Sequence, residues 1–387
     1  MKVSFIATVY NEEASVGALL DSIIKQSKMP EEIIIVDGGS TDNTLSVISN
    51  FQFPISKNKL KVISMKGNRA VGRNEAINKA SNEIIVCSDS GCILDEDWVK
   101  NITKPFEKDI DVVAGYYKGN AKTIFQKCLI PYVLVMPDKV NKNNFLPASR
   151  SMAFKKSIWK KAGSFPEKFG NNEDYVFAKR LKEINAKIVY TEKAIVYWMP
   201  RSNLKDAFTM FYRFAKGDSE SRIFRHKVVL IFVRYVVGII FIFLFLIFKS
   251  YIILNTLYLI LVLYILWSII KNYKYVKDVR AIILLPLIQI ASDKAVILGT
   301  INGLLTQRLK IVIEGLFYIS IIYLAILLSF RQLRSLFRPV KITEDDIVGY
   351  AQYFGHPLYF ETIIFFVFIL SPILVFFILS KIRKYRE

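Results

Sequence analysis

Histidine and cysteine are scarce in this chain of 387 residues, which contains two histidines and three cysteines. His226 and His356 are too few and too far apart to predict a zinc-type metal site. The cysteines, Cys87, Cys92 and Cys128, lack the spacing of a disulfide framework, and none has a histidine near it in the sequence. We therefore expect no catalytic thiol, and a reducing compartment is the simpler interpretation for the domain that contains them.

The N-terminus lacks the pattern of a secretion signal. Its apolar stretch, MKVSFIATVY, is interrupted by Asn11, Glu12 and Glu13 before it reaches the length of a signal's apolar core. We interpret this stretch as the first strand of a folded domain. The sequence also contains no long-period repeat and no low-complexity tract.

Acidic residues are in the minority, with 33 Asp and Glu against 53 Lys and Arg, which gives a formal net charge of +20. Such an excess occurs in nucleic-acid-binding proteins. Here, however, many basic residues flank apolar runs, as Lys271, Lys274 and Arg331 do. That placement indicates that these basic residues bind anionic lipid headgroups rather than a nucleic acid. We therefore expect membrane lipids, and no nucleic acid, among the partners.

Long apolar runs begin only at Val228, although apolar residues make up 53% of the whole chain. Each candidate span approaches the about 20 residues that cross a bilayer. The candidates are 228–248, 252–270, 281–305, 311–330 and 361–380. The third is uncertain because Asp293 and Lys294 lie in its middle, at a cost of roughly 2.5–3.5 kcal/mol each. We predict four or five spans and leave the side of the C-terminus open.

Residues 1–203 alternate short apolar strands with amphipathic helices, a pattern typical of an α/β sheet with helices on both faces. We predict strands at 3–9, 33–36, 59–65 and 83–87. Polar residues gather where these strands end: Thr8, Tyr10 and Glu12 at the first, Asp37 at the second and Asp89 at the fourth. Because ligands of doubly wound sheets bind at the carboxyl ends of strands, this clustering predicts a nucleotide site.

Five short motifs follow one another over about the first 225 residues. They are TVYNEE (8–13), IIIVDGGSTD (33–42), GNRAVGRN (67–74), CSDSGC (87–92) and NED (172–174). In this order they resemble the family 2 glycosyltransferases of the GT-A fold, and the ordered set is far more specific than any one motif. The resemblance implies an α/β fold with a GT-A-like doubly wound mixed sheet, followed here by an α-helical transmembrane domain.

The resemblance also implies a donor site. Thr8, Tyr10, Glu12 and Asp37 would hold the nucleoside of a nucleotide-diphosphate sugar, and Arg73 would approach the diphosphate from the head of a helix. A carboxylate at Asp37 accepts from a base N–H, which favours a UDP- or GDP-sugar. Two alternatives stay open, namely a turn role for Asp37 and a surface charge for Arg73.

Asp89 lies where the family carries its metal-binding Asp-x-Asp motif. The resemblance implies that it coordinates Mg²⁺ or Mn²⁺ bridging the diphosphate oxygens. Gly91 stands in place of the second Asp, which weakens the expectation of metal dependence. The alternative for Asp89 is a turn residue at the end of a strand.

Glu173 and Asp174 are the candidate acid–base pair. The resemblance implies that Asp174 deprotonates the acceptor hydroxyl, which then attacks the anomeric carbon with inversion. Both acids also suit the first turn of a helix. Further along, Arg213 and Arg222 lie in a segment that resembles the family's basic segment between catalytic domain and membrane. The resemblance implies that it closes over the donor or contacts the acceptor or a lipid phosphate. The alternative is an interfacial helix that binds lipid headgroups. Arg234, inside the first span, either snorkels or meets a lipid-linked phosphate.

The predicted protein is a multi-pass cell-membrane glycosyltransferase of the hexosyltransferase type. It has a cytoplasmic catalytic domain (1–203), an interfacial amphipathic helix (204–227) and a transmembrane domain (228–387). The acceptor would be a polyprenyl phosphate or lipid-linked glycan, used in the synthesis of cell-surface or glycoprotein glycans. The alternative is a non-catalytic membrane scaffold or sensor that binds nucleotide sugars. A nucleotidyltransferase is disfavoured because sugar-nucleotide synthesis requires no membrane.

Overall fold

The structure is a computed structural model that describes residues 1–52, 60–223 and 225–336, with side chains as far as Arg308. Residues Met1–Leu304 form one compact unit and Leu305–Glu387 a second. All contacts discussed below lie within the first unit.

Strands and helices alternate along the N-terminal part of the described chain. The strands are β1 Val3–Val9, β2 Glu32–Asp37, β3 Leu60–Ser64, β4 Ile84–Cys87, β5 Cys92–Leu94, β6 Val112–Gly119, β7 Met152–Lys155 and β8 Ile188–Trp198. The helices are α1 Val16–Ile24, α2 Thr44–Asn50, α3 Arg69–Lys79, α4 Trp98–Thr103, α5 Ile124–Val133, α6 Lys156–Lys161, α7 Glu173–Glu183, α8 Leu204–Glu220, α9 His226–Phe248, α10 Tyr251–Val276 and α11 Ala281–Leu336.

The strands form a single mixed sheet in the order β3-β2-β1-β4-β7-β6-β8-β5. The strands β1 to β4 run parallel, β7 is antiparallel to both of its neighbours, and β6 pairs parallel with β8. The strand order reverses between β1 and β4, because β2 and β3 lie on one side of β1 and β4 on the other. A ligand crevice forms at such a reversal, beyond the carboxyl ends of the strands.

The core is built by the strands and by the helix stripe that the sequence predicts. Every residue of β2 is buried. On α1, the apolar positions Val16, Leu19, Leu20 and Ile23 are all fully buried against the sheet. Removing this much apolar surface from water is the main driving force for folding of the domain.

Two loops at the carboxyl ends of β1 and β2 brace each other and shape the crevice. The Asn11 side chain, on a residue with φ of 52°, accepts from the Thr41 N–H at 2.8 Å, and the Asn11 N–H donates to Ser40 Oγ at 2.9 Å. The Glu12 N–H donates to Thr44 Oγ1 at 2.8 Å. The polar residues after β1 and β2 are therefore held together by hydrogen bonds rather than by apolar packing.

Three helices in the described part of the chain are long and apolar enough to cross a membrane. They are His226–Phe248, Tyr251–Val276 and Ala281–Arg308, and they coincide with the first three predicted spans. The predicted span at 311–330 falls in α11 beyond the last described side chain, and the one at 361–380 lies outside the described residues.

Helix α8 joins the sheet domain to these apolar helices. Its apolar face, including Ala207, Met210 and Phe211, is buried in the main core. On its other side, a Cβ added to Gly299 would lie 2.4 Å from the Tyr212 carbonyl oxygen, and one on Gly303 would lie 2.7 Å from that of Lys216. The two glycines thus permit a close backbone approach between α11 and α8.

Candidate active site

Arg73 lies beside Asp89, just beyond the carboxyl end of β4, and is 1% exposed. Its Nη1 donates to Glu173 Oε1 at 2.5 Å, and its Nη2 donates to Asp89 Oδ1 at 2.8 Å and to Ser149 Oγ at 2.9 Å. Burial opposes the charge, but the adjacent carboxylates of Asp89 and Glu173 raise the pKa of Arg73 above its ordinary value. Arg73 is therefore a buried cation that links β4, α7 and residue 149, and the surface-charge alternative is wrong.

The position of Arg73 depends on the close packing of α3 against β1. A Cβ on Gly72 would lie only 2.8 Å from Thr8 Cγ2. Asn68 caps the helix by accepting from the N–H groups of Ala70 and Val71 at 3.0 and 3.1 Å. Because α3 is capped at its N-terminus and packs closely on β1, its second turn places Arg73 beside Asp89.

Asp89 follows β4 and keeps part of its carboxylate accessible, with 32% of the side chain exposed. Its Oδ1 pairs with Arg73, and its Oδ2 lies 3.4 Å from Ser149 Oγ. Burial raises the pKa of Asp89, but Arg73, Arg69 and Arg150 outweigh it and hold the pKa below the usual value. Asp89 is therefore ionised at neutral pH and has one oxygen free of the ion pair.

Glu173 and Asp174 begin α7 but face different surroundings. Glu173 is 3% exposed, and its carboxylate forms an ion pair with Arg73. Asp174 is half-buried, and its Oδ2 lies 3.3 Å from the Ser149 N–H and 3.4 Å from Ser149 Oγ. One serine hydroxyl therefore lies between the accessible oxygens of Asp89 and Asp174. A reacting group placed here would contact two carboxylates at once.

The predicted nucleoside residues lie around the ends of β1 and β2. Thr8 is half-buried, Glu12 accepts a hydrogen bond from Ser15, and Tyr10 is 58% exposed. Asp37 is fully buried, and its Oδ2 accepts from the N–H groups of Gly39 and Ser40 at 2.9 and 3.0 Å. The Asp37 carboxylate therefore stabilises the turn that follows β2, and this is the turn role that the sequence left open for Asp37.

Ser149 and Arg150 are the site residues that the sequence did not predict. Ser149 is 2% exposed and contacts Arg73, Asp89 and Asp174. Arg150 lies 5.7 Å above the Tyr117 ring and 5.3 Å from the Trp198 ring. Neither stands in one of the five motifs, and their one local signal is their place just before the apolar residues of β7. Their role depends on β7 pairing antiparallel with β4, which brings residue 149 beside Asp89.

Residues 4–158 match the profile of glycosyl transferase family 2, and they contain Arg73, Asp89 and Ser149. This region is a family 2 glycosyltransferase domain. The observed mixed sheet, with the crevice at the reversal of strand order, confirms the predicted GT-A fold class.

Several characterised proteins are similar to parts of this chain. Poly-beta-1,6-N-acetyl-D-glucosamine synthase of Staphylococcus epidermidis is 26% identical over 229 residues, which cover 56% of this chain and 55% of that protein. Undecaprenyl-phosphate 4-deoxy-4-formamido-L-arabinose transferase of Serratia proteamaculans is 30% identical over 133 residues, covering 33% of this chain and 40% of that protein. The chain thus matches only about half, or less, of the length of these relatives.

Among solved structures, TarS of S. aureus in complex with UDP-GlcNAc aligns with 56% of this chain and 66% of its own. The identity is 23% and the TM-score 0.42.

The family 2 domain offers one protein carboxylate for a divalent cation. Asp89 has an accessible oxygen, whereas Gly91 supplies no ligand and leaves open space where a Cβ would point. Within the part of the chain that the structure describes, no group of three or more His, Cys, Asp or Glu residues is arranged to hold a metal. A Mg²⁺ ion typically keeps several waters and binds through one or two carboxylates plus substrate phosphates. Asp89 fits that mode and does not fit an all-protein cage.

Of the predicted basic segment, Arg213 is exposed on α8, and Arg222 lies two residues beyond the end of that helix with a φ of 55°. Close by in the sequence, Arg225 reaches the site. It pairs with Asp218 at 2.5 and 2.9 Å and lies 4.9 Å above the ring of Tyr175, the residue after Asp174. Asp218 also accepts from the Asn172 side chain at 2.9 Å. These contacts connect the end of α8 to the start of α7, beside Asp174.

Proposed function

We propose that the chain is an inverting glycosyltransferase of the hexosyltransferase type. It transfers a sugar from a nucleotide-diphosphate donor to a membrane-associated acceptor. The observation that carries this proposal is the placement of Asp89 and Asp174 on either side of Ser149, at the carboxyl ends of the central strands. Family membership makes sugar transfer the reaction for which such a site is suited.

The proposed base is Asp174. Its accessible oxygen accepts the proton of the acceptor hydroxyl while the hydroxyl oxygen forms a bond to the anomeric carbon. The bond from that carbon to the diphosphate breaks on the opposite face, and the nucleoside diphosphate leaves with the bonding pair. Attack opposite to the leaving group inverts the anomeric configuration, through a transition state with oxocarbenium character.

The other charged residues have positioning and electrostatic roles in this proposal. Glu173 and Ser149 fix the buried Arg73, which in turn orients Asp89. Asp89 would hold a Mg²⁺ or Mn²⁺ ion, which would stabilise the charge of the departing diphosphate. Arg69, exposed at the first residue of α3, offers a cation beside that diphosphate together with the helix N-terminus.

The donor proposed is a UDP- or GDP-sugar, held at the carboxyl ends of β1 and β2 by Thr8, Tyr10, Glu12 and Asp37. In support of a uridine donor, the similar TarS structure contains UDP-GlcNAc. In support of a lipid-linked acceptor, one relative is named as an undecaprenyl-phosphate sugar transferase. A polyprenyl phosphate or lipid-linked glycan also suits a site attached to three apolar helices, in the synthesis of cell-surface or glycoprotein glycans.

We further propose the domain organisation and location that the sequence predicts. The catalytic domain (1–203) faces the cytoplasm, where nucleotide sugars are made, and the three buried cysteines of this domain are free thiols. The segment 204–227, which contains α8, connects it to a multi-pass domain (228–387) in the cell membrane. Lipids are then direct partners of the apolar helices.

A donor panel tests the proposal. The purified full chain is incubated in native lipid extract with UDP- and GDP-sugars, in the presence of Mg²⁺, Mn²⁺ or a chelator, and product is detected by mass spectrometry. We expect turnover of one donor, with loss of most activity in chelator. Nucleotide binding without turnover of any donor, under any metal, would favour the scaffold alternative instead.

A further inference from the structure

Polar and charged side chains interrupt the three apolar helices where these helices contact one another. They are Arg234 on α9, Tyr264 and Lys271 on α10, and Gln289 and Asp293 on α11. Ionisable residues at such positions are costly, so each requires a partner or a ligand.

Asp293 has its partners within the helices. It is 1% exposed, forms an ion pair with Arg234, and accepts from the Tyr264 hydroxyl and the Gln289 amide, both at 2.8 Å. Arg234 also lies 4.8 Å from the Tyr264 ring centroid. The charges of Arg234 and Asp293 thus neutralise each other and join α9 to α11.

Lys271 differs from these residues because it has no carboxylate within salt-bridge distance in the described part of the chain. Its Nζ donates to Gln289 Oε1 at 3.2 Å and lies 4.6 Å from the Trp267 ring and 5.2 Å from the Tyr132 ring. A lysine ammonium has three N–H donors, so Lys271 can donate to a ligand in addition to Gln289. Lys274, one turn further on, is already paired with Asp138.

The electrostatic surroundings of Lys271 favour an anion. Asp293 and the three cations Lys227, Lys139 and Arg234 are close enough for their charges to act on it. Asp293 neutralises Arg234, but among the described residues neither Lys139 nor Lys227 forms a salt bridge. Four cations, Lys271, Lys139, Lys227 and Arg234, thus face the single carboxylate of Asp293, and positive charge is in excess around Lys271. An anionic ligand would balance that excess.

The position of Lys271 along α10 matches the depth of a lipid headgroup. It lies five residues before the helix end at Val276, which is roughly 7–8 Å at 1.5 Å per residue. At the same level, the Tyr132 hydroxyl of α5 donates to the Leu285 carbonyl at 2.9 Å. Ile270, the residue before Lys271 on α10, is 73% exposed and presents apolar surface suited to an acyl or prenyl chain.

We propose that Lys271 binds the phosphate group of a lipid, at the place where α5, α10 and α11 meet. The ammonium group donates to the phosphate oxygens, Lys139 and Lys227 add long-range attraction, and the lipid chain lies along the exposed apolar side of α10. Two kinds of lipid carry this chemistry, a polyprenyl phosphate and a bulk anionic phospholipid. The site is a binding site and does not depend on the transfer reaction.

Lipid binding to the purified full chain in uncharged detergent tests this site. The probes are a polyprenyl phosphate, phosphatidylglycerol, the matching polyprenol and inorganic phosphate, titrated by native mass spectrometry. We expect Lys271→Met to weaken polyprenyl phosphate binding at least ten-fold. Lys271→Arg should keep most of the affinity. The matched control is Lys249→Met, which removes an exposed lysine at the far end of α9.

Preference for polyprenyl phosphate over phosphatidylglycerol would identify the lipid as a carrier, and equal binding would identify a headgroup site. Equal binding of polyprenol, tight binding of inorganic phosphate alone, or unchanged affinity in Lys271→Met would overturn the proposal. Should Lys271→Met fail to fold, the exposed Lys139→Met replaces it, with an expected two- to three-fold loss of affinity. No change in that variant, together with wild-type binding that is insensitive to salt, would equally contradict the site.

Discussion

Glu173 and Asp174 are neighbours in the sequence, yet the structure predicts different consequences for their loss. Glu173 is buried against Arg73, whereas Asp174 has an accessible oxygen beside Ser149. A substitution at Glu173 leaves a buried guanidinium with one carboxylate fewer. A substitution at Asp174 removes a charge that solvent or substrate reaches.

We predict that Glu173→Gln lowers the free energy of unfolding by about 3 kcal/mol. That value is the lower end of the range for breaking a buried ion pair, because Asp89 still pairs with Arg73. Thermal unfolding of the purified variant in detergent checks it. The control is Asp97→Asn, which removes an exposed carboxylate paired with Lys100. A stability equal to that of the control would show that the Arg73–Glu173 pair contributes little.

Glu32, the first residue of β2 in the same sheet, gives a pH-dependent contribution to stability. Burial raises its pKa, but hydrogen bonds from Lys61, Ser81 and Ser4 outweigh burial and lower the pKa to about 2. Because the folded-state pKa lies below the unfolded value, this stabilisation is present above the unfolded value. It is lost as the pH falls towards about 2.

We therefore expect Glu32→Gln to reduce the loss of stability on acidification below about pH 4.5, the ordinary pKa of a glutamate. Chemical unfolding at a series of pH values measures the slope. A variant whose stability declines as steeply as that of the wild type would assign the acid sensitivity to other carboxylates.

At the scale of elements, the contact between α8 and α11 determines how the apolar helices are attached to the family 2 domain. Gly299 and Gly303 allow the two backbones to approach each other, and Gly217 does the same where α8 passes Asn171. All three positions lack room for a side chain.

We predict that Gly299→Leu destabilises the protein by about 1–3 kcal/mol, because its Cβ would collide with a backbone carbonyl that cannot move freely. Thermal stability in detergent measures the effect. Gly238→Leu on α9 is the matched control, since a Cβ there meets nothing within 4 Å. Equal stability of the two variants would mean that α11 does not pack on α8 as described.

Elements whose own residues form a regular apolar pattern are predictable from the sequence. Elements that form only because they pair with distant segments of the chain are not. The strand β2 is an uninterrupted apolar run, and α1 shows its stripe at helical spacing, so both were predicted. β8 was missed because Thr191, Glu192 and Lys193 interrupt its apolar residues. The sheet pairs it with β6 and β5, which no local pattern reveals.

The same distinction applies to the candidate site. Motifs directed attention to Arg73, Asp89 and Asp174, which the structure brings together. They did not reveal that Arg73 is buried, because its partner Glu173 lies 100 residues away in the chain. The role of Ser149 could not be predicted for the same reason, since its contacts depend on β7 pairing antiparallel with β4. Likewise, the sequence does not explain why Arg234 or Asp293 lies in an apolar run, because the two residues become a salt bridge only in the folded protein.

At the scale of the whole molecule, a family 2 domain is joined to three helices that are apolar and long enough to span a membrane. The proposed reaction centre and the proposed lipid-phosphate site are on different elements. The first is formed by residues around α3, β4 and α7, and the second by α5, α10 and α11. A transferase that acts on a membrane-bound acceptor requires both a donor crevice and a lipid contact.

The measurement that tests the central claim most directly compares Asp174→Asn with the wild type for sugar transfer and for nucleotide binding. With the donor found by the panel, we predict a fall in kcat of at least 10²-fold, the lower end for a general base, and nucleotide affinity within about two-fold of the wild type. Retention of wild-type transfer by Asp174→Asn would contradict the proposed role of this residue and the reaction mechanism built on it.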